Sequence, residues 1–251
     1  MPTTTETLRD ALVAARRDKS LLPLASLPIP ASLREGFDVQ AAVARNLGHV
    51  EAGWKVAIAA DGTAVAGLMP GPWLKPGDTY HGAIGAELRV EIELGLRLGR
   101  DVPRRPGQPY SRAELLACCD KAFLGIEIVE SRLADWSGNV AFPLWLGDAM
   151  GHGGYVIGPD LDIKVLDDVS GLTCFIALNG VTLYDQPAVH ANGDPMTPFL
   201  AWANCKDEFM GGLRAGQIVT TGSLCGGVLS PGKGEILTRL SPLADVSLTL
   251  R

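Results

Sequence analysis

The stretch Ala86-Glu-Leu-Arg-Val-Glu-Ile-Glu-Leu-Gly-Leu-Arg-Leu98 places an apolar residue at nearly every second position. Successive side chains of a β-strand point to opposite faces, so this period of two predicts a strand with one apolar face. Glu91 and Glu93 then project side by side from the other face, where their carboxylates repel each other. A bound cation is one way to stabilise that arrangement.

A second segment, Gly125-Ile-Glu-Ile-Val129, adds a third carboxylate. Glu127 stands between two isoleucines, so on a strand it faces away from both. Three carboxylates on short apolar strands suit a hard divalent ion such as Mg²⁺ or Mn²⁺. The alternative is an antiparallel sheet with an ordinary solvated face, which Glu87, Arg89 and Arg97 also fit.

Composition restricts the classes of protein that the chain can represent. Its 251 residues, 47% hydrophobic and 20% charged, are typical of a soluble globular protein. The net charge of −6 and the dispersed lysines and arginines argue against nucleic-acid binding. No apolar stretch is long enough to span a bilayer, and a signal peptide is not expected in the first residues. Five cysteines without a Cys-x-x-Cys pair favour reduced thiols and a cytoplasmic location.

Helical patterns dominate the first fifty residues. Apolar spacing predicts a helix over 5–17, and Asp38 is the expected cap of a second helix. A β-rich body is expected to begin near Trp54. Farther on, Ser111 and Glu114 have the spacing of a capping box for a helix that leads into the Glu127 strand.

The second half of the chain combines hairpins with single helices. Asn179-Gly180 between two apolar runs predicts a type I′ hairpin. A helix is expected over 198–210, followed by two strands over 235–250 around Ser241-Pro242. This mixture predicts the α+β class, with mainly antiparallel or mixed sheets.

Several segments in order resemble one group of enzymes, the 2-keto-4-pentenoate hydratases (2-hydroxypenta-2,4-dienoate hydratases) and the related 4-oxalocrotonate decarboxylases of the fumarylacetoacetate hydrolase superfamily. The segments that carry the resemblance are Gly53-Trp-Lys-Val56, Val90-Glu-Ile-Glu93, Leu98-Gly-Arg-Asp-Val-Pro103, 127–136, Gly154-Tyr-Val-Ile-Gly158, Gly193-Asp-Pro195, Ala201-Trp-Ala-Asn204 and 213–223. The resemblance implies one domain over 1–251, with a helical segment over 1–50 and a β-rich catalytic core over 54–251. The core is expected to be a mixed β-sheet roll like the C-terminal region of that superfamily.

The resemblance also implies a metal, Mg²⁺ or Mn²⁺, held by Glu91, Glu93 and Glu127. In such enzymes the ion chelates the carboxylate and the 2-oxo oxygen of a 2-keto acid, and neutralises charge on the enolate oxygen. Lys55 matches the lysine of these enzymes that binds the substrate carboxylate or acts as an acid; a surface lysine at a strand start is the alternative. Arg132 is expected either to orient a ligand carboxylate or to contact substrate.

Substrate-binding groups are also expected in the glycine-rich segment 221–234. Its backbone N–H groups could cradle a carboxylate, and Thr221 and Ser223 are the candidate substrate-binding residues. The segment lacks the Lys-Ser/Thr ending of a phosphate loop, so a nucleotide site is not expected.

The chain departs from the pattern of these enzymes where protons are handled. The stretch Asp148-Ala-Met-Gly-His152 keeps the aspartate but loses the usual Asn and Ser, which leaves Asp148 and His152 as candidate catalytic residues or His152 as a loop histidine. The usual acid between Lys55 and the Glu91 strand is missing, and a usual His-Pro pair reads Asp194-Pro195. His190 could replace that histidine or be structural.

These features predict a metal-dependent lyase of hydratase type that acts on a small 2-hydroxydienoic or unsaturated 2-keto acid from aromatic-compound catabolism. The alternatives are decarboxylation of an oxalocrotonate-type acid, hydrolytic C–C cleavage of an acylpyruvate, or a non-catalytic partner subunit. A small-molecule substrate, no nucleic acid and no membrane are expected. A homo-oligomer is expected as well, with association with another enzyme of the pathway as a further option.

Overall fold

The computed structural model describes residues 2–83, 85–136, 140–205 and 212–251. The helices are α1 Thr4–Asp18, α2 Leu33–Leu47, α3 Arg112–Leu116, α4 Phe142–Gly147 and α5 Met196–Ala203. The strands are β1 Glu51–Ile58, β2 Ala64–Pro70, β3 Thr79–Tyr80, β4 Leu88–Leu98, β5 Cys119–Val129, β6 His152–Leu161, β7 Thr173–Leu178, β8 Val181–Pro187, β9 Ile218–Ser223, β10 Val228–Ser230, β11 Gly234–Ser241 and β12 Ala244–Leu250. None of the described helices is long and apolar enough to cross a membrane.

Two sheets form the body of the molecule. The larger has seven strands in the order β2-β1-β9-β4-β5-β6, with β10 pairing to β4, and the smaller runs β3-β12-β11-β7-β8. The β1–β9 and β3–β12 pairs are parallel, whereas the other pairs are antiparallel. The expected α+β class with mixed sheets is therefore confirmed.

The alternation in β4 has the predicted effect on both faces of the larger sheet. Val90, Ile92 and Leu94 are fully buried in the main core. Glu91 and Glu93 lie on the opposite face, over a small apolar cluster that includes Phe123 and Tyr155. On that second face Glu93 is buried, Arg89 and Glu91 are half-buried, and Arg97 is exposed.

The N-terminal helices pack as a pair. Leu8 and Leu12 of α1 lie against Val39 and Val43 of α2 in a separate apolar cluster. The expected cap of the second helix is wrong: the Ser32 hydroxyl accepts the N–H of Glu35 and caps α2, whereas Asp38 lies inside the helix. Only a residue that precedes the first turn can satisfy the free N–H groups there.

Local signals later in the chain are largely confirmed. Ser111 and Glu114 form the capping box of α3, and β11 and β12 are the two strands of the C-terminal region. Asn179 and Gly180 join β7 to β8 with φ of 50° and 80°, the positive values that a type I′ turn needs. Helix α5 ends at Ala203, short of the expected 198–210, and residues 206–210 lie outside the described part of the chain.

Candidate active site

The three predicted carboxylates meet on the larger sheet. Strands β4 and β5 are antiparallel neighbours whose register places Glu91 opposite Glu127 and Glu93 opposite Gly125. Each of Glu91, Glu93 and Glu127 offers an oxygen, and these oxygens all lie within 4.8 Å of one another. Glu93 and Glu127 are buried and Glu91 is half-buried. Residues far apart in sequence are thus brought together by strand pairing alone.

Burial makes this cluster electrostatically strained. It raises the pKa of Glu91 to about 7, with Lys55 acting against it and Glu127 adding to it. It raises the pKa of Glu93 well above its ordinary value, with further increases from the other two carboxylates. Burial also acts to raise the pKa of Glu127, but Lys55 and His152 outweigh it and the pKa is lowered.

The donor set fits a divalent cation. The Oε2 atoms of Glu93 and Glu127 are both buried, and neither has a hydrogen-bond partner among the described residues. Unpartnered carboxylate oxygens in the interior are costly unless a charge compensates them. Hard cations such as Mg²⁺ and Mn²⁺ take oxygen ligands of this kind and leave other positions open.

Lys55 reaches the cluster from β1. Its Nζ lies 2.9 Å from Oε1 of Glu127 and donates to the carbonyl of Met150 at 3.2 Å. Opposite Lys55 in β2 stands Gly67, where a β-carbon would come within 2.9 Å of Lys55 Cγ. Burial disfavours the ammonium, but the carboxylates outweigh it, Glu127 most strongly, and the pKa of Lys55 is raised. Lys55 therefore lies inside the site as a cation and not at the surface.

His152 shares the same carboxylate oxygen. Its Nδ1 lies 3.0 Å from Oε1 of Glu127, at the start of β6. Burial lowers the pKa of His152, although Glu127 acts in the opposite direction. A neutral ring that donates from Nδ1 fits this contact, so His152 fixes the orientation of Glu127.

Asp148 has its oxygens taken by structural partners. Arg16 of α1 approaches Oδ1 at 2.6 Å, while the Ser131 hydroxyl and the Arg132 N–H donate to Oδ2 at 2.7 and 2.8 Å. The Asp148 side chain is fully buried. It ties the first helix to the segment that follows β5, and it does not line the cavity beside the carboxylates.

A cavity of about 490 Å³ opens onto the carboxylate cluster. Lys55, Glu91 and Glu93 form its polar floor. Its aromatic lining comes from Trp136, Phe142 and Trp145, and it is also lined by Arg89, His190, Asn192, Thr221 and Ser223. The cavity combines a charged floor with an apolar wall, as small-molecule sites commonly do.

The other predicted substrate-binding residues are only partly brought to this cavity. Thr221 and Ser223 line it, but the Thr221 hydroxyl donates to the carbonyl of Leu94 at 3.0 Å, and the Ser223 hydroxyl donates to that of Gly226 at 3.1 Å. Arg132 is placed elsewhere: it pairs with Glu130 at 2.7 Å and lines a neighbouring cavity of about 360 Å³ together with His152.

His190 lines the cavity in a structural arrangement. Its Nε2 donates to the carbonyl of Thr221 at 2.9 Å, and its Nδ1 accepts the N–H of Asn192 at 3.2 Å. Both ring nitrogens are thus engaged by backbone, and burial lowers the pKa of His190. The missing acid is not replaced by Asp61 or Asp78, each of which accepts a backbone N–H in its own turn.

Two residues of the site were not predicted from the sequence. Tyr155 stands opposite Glu127 in register and packs over Gly125; its hydroxyl is buried and has no hydrogen-bond partner among the described residues. Arg89, which also fits a solvated face, lines the cavity. The alternation predicts on which face of the strand each residue lies. Which neighbouring side chains pack on that face depends on the pairing register, which local sequence does not encode.

The chain is similar to known proteins in sequence and in fold. No family model matches the chain. Over 136 residues it is 29% identical to the 2-keto-4-pentenoate hydratase of Paraburkholderia xenovorans LB400, which covers 54% of this chain and 49% of that protein. The enzyme of the same name from Burkholderia vietnamiensis G4 is 26% identical over 162 residues, or 64% of this chain and 60% of that one. The chain thus spans about half the length of the curated relatives it matches.

The fold comparison extends over the whole chain. 4-Oxalocrotonate decarboxylase from Pseudomonas putida G7 superposes with a TM-score of 0.80 at 16% identity, covering 100% of this chain and 99% of that one. Maleylpyruvate hydrolase from Sphingobium sp. SYK-6 superposes with a TM-score of 0.51 at 15% identity, covering 79% and 68%. The resemblance seen in the sequence is confirmed: the chain is similar in sequence to 2-keto-4-pentenoate hydratases and shares its fold with 4-oxalocrotonate decarboxylase.

Proposed function

We propose that the protein is a metal-dependent lyase of hydratase type that acts on a small 2-hydroxydienoic or unsaturated 2-keto acid. The observation that carries the proposal is the group Glu91, Glu93 and Glu127, with two unpartnered buried oxygens, beside Lys55 at the floor of a cavity of about 490 Å³. A 2-keto acid presents two adjacent oxygens that suit a cation held at such a floor.

The comparisons support this class of chemistry. The relatives found by sequence are named 2-keto-4-pentenoate hydratases. Among the proteins of the same fold, the decarboxylase from Pseudomonas putida G7 was complexed with magnesium and adipate, and the maleylpyruvate hydrolase with manganese and pyruvate. Metal binding and aromatic-compound catabolism in this chain are proposed on that basis.

The three carboxylates would hold Mg²⁺ or Mn²⁺. When bound, such a cation neutralises the charge that develops on an enolate oxygen. Lys55, kept as an ammonium by the neighbouring carboxylates, can hydrogen-bond the substrate carboxylate and offset its negative charge. His152 and Lys55 together hold Oε1 of Glu127, which leaves Oε2 directed to other partners. In this proposal Lys55 is the catalytic residue and His152 a positioning residue.

Decarboxylation of an oxalocrotonate-type acid is the second candidate, and one observation favours it. Hydration needs a group that delivers water to the remote double bond. Along the described lining of the cavity the acidic side chains are Glu91 and Glu93, and the ring nitrogens of His190 are both engaged by backbone. Loss of carbon dioxide needs a proton donor but no such water. C–C hydrolysis of an acylpyruvate shares the requirement for water.

A cytoplasmic location and a homo-oligomeric state complete the proposal. All five cysteines are free, which supports a reducing compartment. We also propose that residues 1–251 form one domain. If the protein is inactive on its own, we propose that it acts as a non-catalytic partner of another enzyme of the pathway.

The test is a change in ultraviolet absorbance. With Mg²⁺ and 2-hydroxypenta-2,4-dienoate, the protein is expected to consume the dienoate absorbance and form 4-hydroxy-2-oxopentanoate, and EDTA should stop the reaction. Glu93→Gln should abolish it, whereas Glu235→Gln, a change on β11, should not. Release of carbon dioxide from 4-oxalocrotonate without dienoate turnover would replace the hydratase by the decarboxylase. Inertness toward dienoates, oxalocrotonate and acylpyruvates alike would contradict an enzymatic role.

A further inference from the structure

The second cavity, of about 360 Å³, is lined mainly by basic polar groups. It shares no lining residue with the cavity that contains Glu91 and Glu93. The titratable side chains along its described lining, apart from two tyrosines, are Arg16, Lys19, His49, His81, Glu130, Arg132 and His152. We call it the basic cavity. Its composition is the reverse of the carboxylate cluster on the other side of His152, and it points to a different kind of ligand.

The carboxylate of the basic cavity is already occupied by the protein. Glu130 Oε1 accepts the N–H of Ala83 at 2.5 Å, and Oε2 accepts the hydroxyl of Tyr80 and lies 2.7 Å from Nη2 of Arg132. The Glu130 side chain is buried. Because both of its oxygens are engaged, Glu130 leaves the remaining donors of the lining without an acidic partner.

Arg132 has such a donor. Its side chain is only 7% exposed, and its Nη2 contacts Glu130. Its Nε is buried and has no hydrogen-bond partner among the described residues. A buried guanidinium N–H without an acceptor is costly, and the oxygens of a carboxylate or phosphate are the acceptors that fit the planar fork of arginine. An unpartnered donor on a buried cation therefore favours an anion in this cavity.

The charges along the lining leave an excess of positive charge. Arg132 is balanced by Glu130, and Arg16 by Asp148 at 2.6 Å. Lys19 has no ion pair within the described ranges, and its Nζ donates to the carbonyl of His81 at 3.2 Å. Burial lowers the pKa of His49, and Arg16 lowers it further, as expected for a histidine in a positive field.

We propose that the basic cavity is a binding site for a small oxyanion, which presents a carboxylate or phosphate group to Arg132 and Lys19 in the positive field of Arg16. An arginine and a lysine supply charge-assisted hydrogen bonds from two elements, the segment after β5 and the end of α1. The site goes beyond the proposed function, since it needs neither the divalent cation nor a keto acid.

The test measures anion binding with EDTA present, so that no divalent cation contributes. Inorganic phosphate and butyrate are titrated separately by calorimetry at constant ionic strength into the wild type, Arg132→Lys and Lys19→Gln. The controls are Lys164→Gln, an exposed lysine without an ion pair among the described residues, and Arg89→Gln, a cation of the other cavity. We expect saturable binding of at least one anion to the wild type and to both controls.

The variants are expected to weaken that binding to different degrees. Arg132→Lys keeps a charge beside Glu130 but loses the fork of donors, so its affinity should fall about tenfold or more. Lys19→Gln, at an exposed position, should lower the affinity about threefold. Binding of phosphate alone or of butyrate alone would support the site and identify the anionic group.

Three results would overturn the proposal: no saturable binding of either anion by the wild type, wild-type affinity in Arg132→Lys, or loss of binding in Arg89→Gln. Denaturant titration establishes that Arg132→Lys is folded. If it is not, Lys19→Gln decides, and wild-type affinity in that variant would overturn the site. Each of these results leaves the metal-dependent reaction untouched, because the titrations are made without the cation.

Discussion

At the scale of single residues, Glu127 joins three parts of the chain at one atom. Its Oε1 contacts Lys55 from β1 and His152 from the start of β6, while β5 carries the carboxylate itself. The pKa of Glu127 is lowered by these contacts, whereas burial raises that of Glu91 and Glu93. The protein thus supplies positive partners to one oxygen of Glu127, whereas its Oε2 and that of Glu93 have none among the described residues.

We expect Glu93→Gln to weaken Mg²⁺ binding at least tenfold, because an amide replaces a buried carboxylate oxygen that has no described partner. Calorimetric titration with Mg²⁺ checks this, with Glu235→Gln as the control. An unchanged affinity would exclude Glu93 as a ligand.

The affinity for Mg²⁺ should also depend on pH. Since burial raises the pKa of Glu91 to about 7, a proton competes with the cation below that pH and is gone above it. The affinity should fall as pH decreases, by about tenfold per unit below pH 7 for each proton that the cation displaces. Titrations at pH 6, 7 and 8 measure it, and a constant affinity across this range would contradict the assignment.

The sequence could predict the face of each carboxylate but not the partners of Asp148 or Arg132. A period of two is local, so Glu91, Glu93 and Glu127 could be placed from short windows. Asp148 instead depends on Arg16, 132 positions away, and the aspartate that resembled a catalytic group proves to be enclosed by structural contacts. Contacts of this kind depend on how helices and strands pack against each other, which short windows of sequence do not show.

At the scale of elements, the register between β5 and β6 shapes the floor of the site. Tyr155 stands opposite Glu127 and leans over Gly125, where a β-carbon would overlap its phenol. Glycine at this point leaves room for the phenol of Tyr155. This contact could not be predicted from local sequence, because the register between strands decides which residues are cross-strand neighbours.

We expect Gly125→Ala to lower the free energy of unfolding by about 2 kcal/mol, since the tyrosine ring must move in a packed layer. Denaturant titration measures the change. Gly232→Ala is the matched control, because a β-carbon there meets open space. Equal stability of the two variants would show that Tyr155 has room to shift.

At the scale of the whole molecule, the two N-terminal helices are fastened to the site region. Arg16 of α1 pairs at 2.6 Å with Asp148, whose side chain is fully buried, and Asp148 precedes His152 by four residues. The helical segment and the β-rich core could be predicted from their separate periodicities. The ion pair that joins them could not, because each partner looks ordinary in its own stretch.

Removal of the Arg16–Asp148 ion pair should lower the stability of the whole fold. Arg16→Met leaves a buried carboxylate without its cation, and we expect the free energy of unfolding to fall by about 2 kcal/mol. Arg9→Met, at the more exposed Asp10 pair, should change it little. A single unfolding transition is expected for the wild type if residues 1–251 form one domain; two separate transitions would contradict that proposal.

Strand β4 tolerates substitutions better than insertions or deletions. A side chain on either face can be exchanged with local effects, but one inserted or deleted residue inside the strand would reverse both faces at once. Glu91 and Glu93 would then enter the main core, and Ile92 and Leu94 would face the carboxylate of Glu127. Relatives that keep this site should therefore accumulate insertions and deletions in turns such as residues 59–63, and vary in Leu88–Leu98 only by replacement.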